Sequence, residues 1–235
     1  MREALDKLKL KSVYDRVAKR YDFQHSFFTA KSDQRGRELL VDMAVSIGDR
    51  VLDCGAGTGS TGLLAAEKVG ESGKVTLFDI SEGMLAVAKK KAVQDQMRER
   101  VEIKVGDMLD LPFEDNSFDV VLSTYSMCPV YDPAKAATEL YRVTGPGGRI
   151  GIAHSTEPET PFVKWMADQV ENIVWHIPSI SLGCRSVAVL PTLEQLGCKT
   201  IFKKHIGVPL WPFLVCVAEK QATTTSSPTA YPAPH

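Results

Sequence analysis

The chain of 235 residues lacks several features that would have announced a class at once. It has no excess of charge: 28 Lys and Arg stand against 29 Asp and Glu, a net of −1, so it carries no electrostatic footprint for nucleic acid. No apolar run approaches the length of a bilayer span. The first residues, Met1-Arg-Glu-Ala-Leu-Asp-Lys7, carry acids and no apolar core, which is not the pattern of a secretory signal. The 5 cysteines (54, 128, 184, 198 and 216) are odd in number, scattered and never spaced C-x-x-C. That excludes the usual disulfide framework and zinc site and points to a reducing compartment, so a cytoplasmic protein without a metal is expected. There is no internal repeat.

What is present is concentrated between Arg50 and Gly62, which reads R-V-L-D-C-G-A-G-T-G-S-T-G. Val51-Leu52 is a short strand-like run that reaches a carboxylate at Asp53 and breaks into glycines at 55, 57, 59 and 62. A helical pattern follows from Leu63 to Lys68. Strand, glycine turn and helix is the layout that brings backbone N–H groups up to a nucleotide. Apolar alternation then predicts strands at Val75–Phe78, Val101–Val105, Phe118–Leu122 and Arg149–Ala153, with helices from Ser81 to Lys91 and Pro133 to Val143. Ahead of this core, helices are expected within residues 1–22 and from Gly36 to Ser46. Behind it, the pattern predicts helices at Phe162–Ile177 and Pro191–Leu196, and strands at Thr200–Ile206 and Trp211–Ala218. Beyond Lys220 the Thr, Ser, Pro and Ala content marks a solvated tail. The expectation is an α/β protein: a Rossmann-like, doubly wound, mostly parallel seven-stranded sheet with an antiparallel C-terminal edge hairpin. Its divisions are a helical extension or lid at 1–47, a cofactor core at 48–155, acceptor-side elements at 156–220 and a tail at 221–235.

The literal Gly57-x-Gly59-x-x-Gly62 fits a dinucleotide fingerprint, and alone that is a weak signal. The stronger one is that successive strands close on carboxylates: Asp53, Asp79 and Asp107. A row of such groups along one sheet edge repels phosphate and suits a ribose, an amino group and an ammonium. S-adenosylmethionine has that chemistry. The competing reading is an NAD-dependent oxidoreductase, in which Tyr131-x-x-x-Lys135 would be the catalytic pair. Pro133 between them argues against both lying inside one helix. A third reading, a binding module without catalysis, leaves the intact glycines and acids unexplained.

The segments V-L-D-C-G-A-G-T-G, L-F-D-I-S-E-G-M-L, G-D-M-L-D-L-P-F-E-D-N-S-F-D-V-V and E-L-Y-R-V-T-G-P-G-G-R-I resemble the class I S-adenosylmethionine-dependent methyltransferases, in particular their UbiE/MenG-like branch. The resemblance implies a cofactor site built from Tyr21, Asp53, Cys54, Gly55, Gly57, Gly59, Asp79, Ile80, Met84, Gly106, Asp107, Met108 and Thr124. Within it Asp53 and Gly55 would approach the methionyl portion, Asp79 the ribose, Met84 the adenine face and Asp107 its amino group. Tyr14–Asp22 is similar to the segment that folds over the cofactor in that branch, which makes Tyr21 a lid residue.

The chain departs from the quinone-methylating members in the loop after the fourth strand, where their Arg-Asn pair is replaced by Ser126-Met127-Cys128-Pro129-Val130. Its last third (A-H-S at 153–155, D-Q-V-E-N-I-V-W-H-I-P and L-G-C-R) looks more like alkyl-thiol methyltransferase-like proteins. The expected activity is therefore methyl transfer to a small lipophilic acceptor, a thiol or other heteroatom first. Ring C-methylation of a quinol and N-methylation of a phospholipid amine are the alternatives. A thiolate or neutral amine needs little help beyond alignment and exclusion of water. A phenol or ring carbon needs a base, for which His154 is the candidate, against a histidine that merely bonds to backbone. His176 and Cys128 are further candidates for the acceptor pocket, each against an ordinary core role. The same holds for the aromatic set Phe27, Phe28, Trp165, Trp175 and Trp211. No integral membrane segment is expected, and peripheral membrane contact is left open.

Overall fold

In the computed structural model of the chain, the described residues are 6–22, 32–156, 160–162, 164–166, 169, 187, 189–208 and 211–222. The elements are α1 (Lys7–Val17), α2 (Ser32–Ala44), β1 (Arg50–Cys54), α3 (Ser60–Val69), β2 (Lys74–Asp79), α4 (Glu82–Gln94), β3 (Val101–Val105), β4 (Phe118–Thr124), α5 (Pro133–Val143), β5 (Thr144–Ser155), α6 (Leu190–Gln195), β6 (Cys198–Val208) and β7 (Trp211–Lys220). They build one seven-stranded sheet in the order β3-β2-β1-β4-β5-β7-β6. The first five strands are parallel, and β7 pairs antiparallel with both β5 and β6. The expected architecture is thus the observed one.

Local chemistry accounts for the element ends. Ser81 caps α4 by accepting the Met84 N–H, and Asp132 caps α5 by accepting the Lys135 N–H, with Pro133 in the first turn. Helices cover both faces, so β1, β2 and β4 are apolar almost throughout, as strands of a parallel sheet must be. One face packs Leu52, Cys54, Val121, Ile150 and Ile152 with α5 and α6. The other packs Val51, Val75, Leu77, Val120 and Leu122 with α2, α3 and α4. Several boundaries differ from the sequence pattern, among them the starts of β5 and α2. β5 starts at Thr144 rather than Arg149, because Thr144 pairs with Phe118 before a bulge carries the strand to the Val120–Arg149 pairing. α2 starts at Ser32, ahead of Gly36, a glycine in the middle of a helix.

At the far edge of β7, the buried Lys220 ammonium donates to Asn116 Oδ1 and to the Tyr141 and Thr144 carbonyls at 2.9, 2.9 and 2.7 Å. It also lies 4.3 Å from the Tyr141 ring centre, which ties the last strand to the core. The strand order reverses between β1 and β4, and that switch point opens a crevice at the carboxyl ends of the strands. Phe27, Phe28, Trp175, His176, Cys184 and most of the expected helix at 162–177 lie outside the described residues, as does the tail beyond 222.

Candidate functional site

A cleft lies at that switch point. Gly55 and Gly57 of the β1–α3 turn form its floor, Asp79 and Ile80 after β2 one wall, and Gly106, Asp107 and Met108 after β3 one end. Phe78 and Met84 supply apolar surface between them. Thr124, Tyr125 and Ser126 after β4 close the opposite end, with Pro129, Val130 and Tyr131 beyond. Leu10, Tyr14 and Tyr21 from the N-terminal segment roof it over.

The glycine turn is not an amide cradle. Gly55 and Ala56 N–H both donate to the Phe78 carbonyl (2.8 and 3.0 Å), and Gly59 N–H donates to the Ala56 carbonyl at 2.8 Å. Gly57 N–H donates to Asp79 Oδ2 at 2.8 Å. These donors are consumed inside the protein, so they are not on offer to a pyrophosphate. Gly55 is required for a steric reason as well: its φ is +76°, and a Cβ there would lie 2.3 Å from Ser126 Cβ. The Gly57 bond and a second one from Ser81 N–H to Oδ1 (2.8 Å) aim the Asp79 carboxylate along the cleft. Burial pushes the Asp79 pKa up, against the pull of the Ser81, Gly57 and Ile80 amides.

Asp107 is held differently. Its Oδ1 accepts the Leu109 N–H at 3.0 Å, and its Oδ2 accepts the Tyr131 hydroxyl at 2.7 Å and faces Lys7 Nζ at 3.0 Å. Partial burial raises its pKa, but the Leu109, Tyr131 and Lys7 donors outweigh that and hold it below the ordinary carboxylate value. Asp107 is therefore the dependable anion of the site.

Asp53 does not join the row. Along β1 the side chains alternate, so Asp53 falls on the Val51 side, under α3, and it is absent from the cleft wall. A Cβ on Gly62 would lie 2.9 Å from Asp53 Oδ2 and 2.0 Å from Leu77 Cδ2, which is how closely α3 sits on it. Asp53 is fully buried with no hydrogen-bond partner for either oxygen among the described residues, and burial pushes its pKa up to about 7 against weaker pulls from the Gly62 amide and the Arg37 charge. Cys54 likewise points into the α5-side core, and Gly59 is the left-handed N-cap of α3, close to Ala88; neither lines the cleft. Tyr21, Gly55, Gly57, Asp79, Ile80, Met84, Gly106, Asp107, Met108 and Thr124 all line it.

His154 also lies off the cleft wall. It pairs with Leu214 on the face of β5 that carries Ile150 and Ile152, and it is 2% exposed. Nδ1 lies 2.8 Å from the Ser155 carbonyl, and Nε2 is buried without a partner among the described residues. Burial lowers its pKa below the ordinary histidine value, more than the Ser155 carbonyl raises it.

Sequence reading passed over the polar seams that dock α1. Asp15 accepts the Ser81 hydroxyl (2.5 Å) and the Gly83 N–H (3.0 Å) at the start of α4. Asp22 accepts the Thr58 hydroxyl at 2.5 Å and pairs with Lys91 at 2.7 Å. With Lys7 on Asp107, the N-terminal segment thus touches each of the three cofactor-side loops. The only hint of this in the sequence was the seven- or eight-residue spacing of Lys7, Asp15 and Asp22. In the loop from Tyr125 to Tyr131 the sequence drew attention to Ser126–Val130, Cys128 and Tyr131, but gave no signal that Tyr125 turns into α2 or that Tyr131 bonds to Asp107.

The groups present fit a nucleoside with a cationic, phosphate-free tail. Carboxylates stand where sugar hydroxyls and an amino group can be accepted, the apolar faces of Phe78, Ile80 and Met84 suit a purine, and no Lys or Arg is among the described residues of the wall. Among the described residues no cluster of His, Cys, Asp and Glu could hold a metal ion. No described helix is long and apolar enough to cross a membrane.

Comparison with known proteins agrees with this geometry. The family model described as "Methyltransferase domain" matches residues 46–202. A demethylmenaquinone methyltransferase from Symbiobacterium thermophilum is 32% identical over 157 residues, which are 66% of this chain and 62% of the relative. One from Paenarthrobacter aurescens is 35% identical over 172 residues, 72% of this chain and 63% of the relative. The chain therefore spans rather less than two thirds of the length of either. Among solved structures, a SAM-dependent methyltransferase from Aquifex aeolicus superimposes with a TM-score of 0.62 at 21% identity, covering 92% of this chain and 99% of that one. That likeness is one of fold.

Proposed function

The chain belongs to the methyltransferase-domain family, and from that premise we propose that it is an S-adenosylmethionine-dependent methyltransferase acting on a small lipophilic acceptor, with a thiol or other heteroatom as the attacking atom. The observation that carries the cofactor is the use of the glycine-turn amides inside the protein while Asp79 and Asp107 face the cleft. A site with that polarity rejects phosphate and so disfavours NAD.

When bound, S-adenosylmethionine supplies a methyl group activated on a sulfonium for in-line displacement. Asp79 would hold the ribose hydroxyls and Asp107 the adenine amino group, with Met84 and Ile80 against the base. The Gly55 floor and the Thr124–Ser126 end would hold the amino-acid half. Leu10, Tyr14, Tyr21, Pro129 and Val130 would shield the cleft from water, and alignment of the reacting atoms accounts for about 7–11 kcal/mol of barrier in favourable cases.

The heteroatom preference rests on the described residues of the wall. Among them the Tyr131 hydroxyl, pushed to about 12, keeps its proton, Tyr125 turns its hydroxyl into α2, the Asp79 and Asp107 carboxylates would be occupied by the adenosine, and His154 stands off the wall. A thiolate, its proton already lost to water, needs no base at the moment of attack. The second reading, ring C-methylation of a quinol, is favoured by the relatives' names. Incubation with methyl-labelled cofactor and a panel of hydrophobic thiols, reduced quinones and lipid amines decides between them by where the label appears. Transfer to a quinol ring carbon and to no thiol would overturn the heteroatom reading, and binding of NAD without S-adenosylmethionine would overturn the cofactor.

A further inference from the structure

Tyr125 is one of three non-glycine residues with positive φ among the described residues, at +56°, and it lies on the cleft wall directly after β4. A bulky residue in that region needs a reason, because its surroundings must hold it there. Its side chain leaves the cleft and enters α2. The hydroxyl donates to the Asp33 carbonyl at 3.3 Å, and the ring meets Phe213 edge-on at 5.3 Å between centres. The Arg37 guanidinium lies 4.9 Å from the ring centre and is paired with Asp33 at 2.5 Å, both side chains being buried.

Gly36 completes the enclosure. In mid-helix a glycine is unfavourable relative to alanine, yet a Cβ here would lie 2.5 Å from Tyr125 Oη and 3.0 Å from Ile206 Cδ1. The tyrosine has no easy retreat, with Phe213 against one side and Arg37 over its ring. Asp33, Gly36 and Arg37, one helical turn of α2, thus form a fitted socket for one side chain of the wall.

We propose that this socket positions the Tyr125–Ser126 turn against the amino-acid half of the cofactor, making Asp33, Gly36 and Arg37 positioning residues for that half of the site. The inference rests on the cofactor reading above and adds to it. The sheet order runs β3-β2-β1-β4. With adenosine held after β3 and β2 by Asp107 and Asp79, the rest of the molecule extends past Gly55 toward the end of β4. There the wall is tight, as the Gly55–Ser126 approach shows. Displacing the turn therefore disturbs the amino-acid half and leaves the adenosine half untouched.

The test uses two probes of the whole chain by calorimetry: S-adenosylhomocysteine, which carries both halves, and methylthioadenosine, which carries only the adenosine half. Gly36→Ala is expected to weaken S-adenosylhomocysteine about tenfold while methylthioadenosine stays within about twofold, since misplacement of a fitted wall is costly where it touches the ligand. Adding Tyr125→Phe removes the hydroxyl that the new methyl strikes, and the double variant is expected to recover most of the loss. If Gly36→Ala fails to give a cooperative melt, Arg37→Met replaces it, with the same selective loss expected and Arg37→Lys recovering part of it. Equal weakening of both probes, no weakening of either, or no recovery in the double variant and in Arg37→Lys would overturn the socket. Failure of the wild-type chain to bind either probe would instead overturn the cofactor reading, and the socket with it.

Discussion

Replacing Asp79 by alanine probes the cofactor site most directly. The side chain has two duties in the structure. It accepts the Gly57 and Ser81 amides at 2.8 Å each, which shapes the glycine turn and the start of α4, and its remaining lone pairs face the cleft, where ribose hydroxyls would donate. Hydrogen bonds to a charged group contribute about 1.5–3 kcal/mol each, so losing two bonds to a ribose diol costs about 3 kcal/mol or more. At about 1.4 kcal/mol per decade that is on the order of a hundredfold in affinity. The Gly57 amide, in a half-buried turn, and the Ser81 amide, buried at the start of α4, are left without that acceptor, so the fold also loses about 1–3 kcal/mol for each. Calorimetric titration with S-adenosylhomocysteine, paired with a thermal melt, separates the two effects: a loss of at least tenfold in affinity with a cooperative melt is expected. Asp79→Asn is the control, because its amide keeps one acceptor and turns a donor toward the second N–H; it should fall between wild type and alanine. Unchanged affinity in Asp79→Ala would show that the carboxylate organises the turn and does not touch the ligand.

Asp53 is ionised at a cost in the folded protein. Its pKa is raised from 3.8 to about 7, so its contribution to stability is full below pH 4 and is lost as pH rises through 7. Asp53→Asn should flatten the fall in unfolding free energy between pH 4 and pH 7, and a slope in that window identical to wild type would contradict the burial argument. His154→Ala should leave transfer to a thiol within about twofold, whereas a loss on the order of a hundredfold confined to a quinol acceptor would identify it as a general base. Asp15→Ala breaks the seam between α1 and the start of α4, and S-adenosylhomocysteine should then dissociate several-fold faster in stopped-flow displacement, an unchanged rate removing α1 from control of access. Lys220→Met strands Asn116 and the Tyr141 and Thr144 carbonyls, and chemical denaturation should register a loss of about 1–3 kcal/mol with binding unaffected.

Much of this protein was legible before any coordinates. The β3, α5 and β7 segments are short patterns whose periodicity, caps and prolines act within a few residues, so the sequence places them closely. The glycine turn and the carboxylates at 79 and 107 are also local, because a strand must end where glycine or an Asp-rich loop begins. What local pattern leaves open is which way a side chain faces once its strand has neighbours. Asp53 looks like the first member of an acidic row, yet pleat and register turn it beneath α3. His154 ends a strand at the correct edge, yet its face is the one that carries Ile152 and packs beside Leu214. The seams from Lys7, Asp15 and Asp22, and the pocket that α2 makes for Tyr125, join residues far apart in the chain. Sequence alone determined the strands, the turns and the kind of ligand their ends can accept. Only the folded arrangement decided which acids face the cleft, because facing is set by pairing and packing between distant segments, and a one-residue change of register would reverse it.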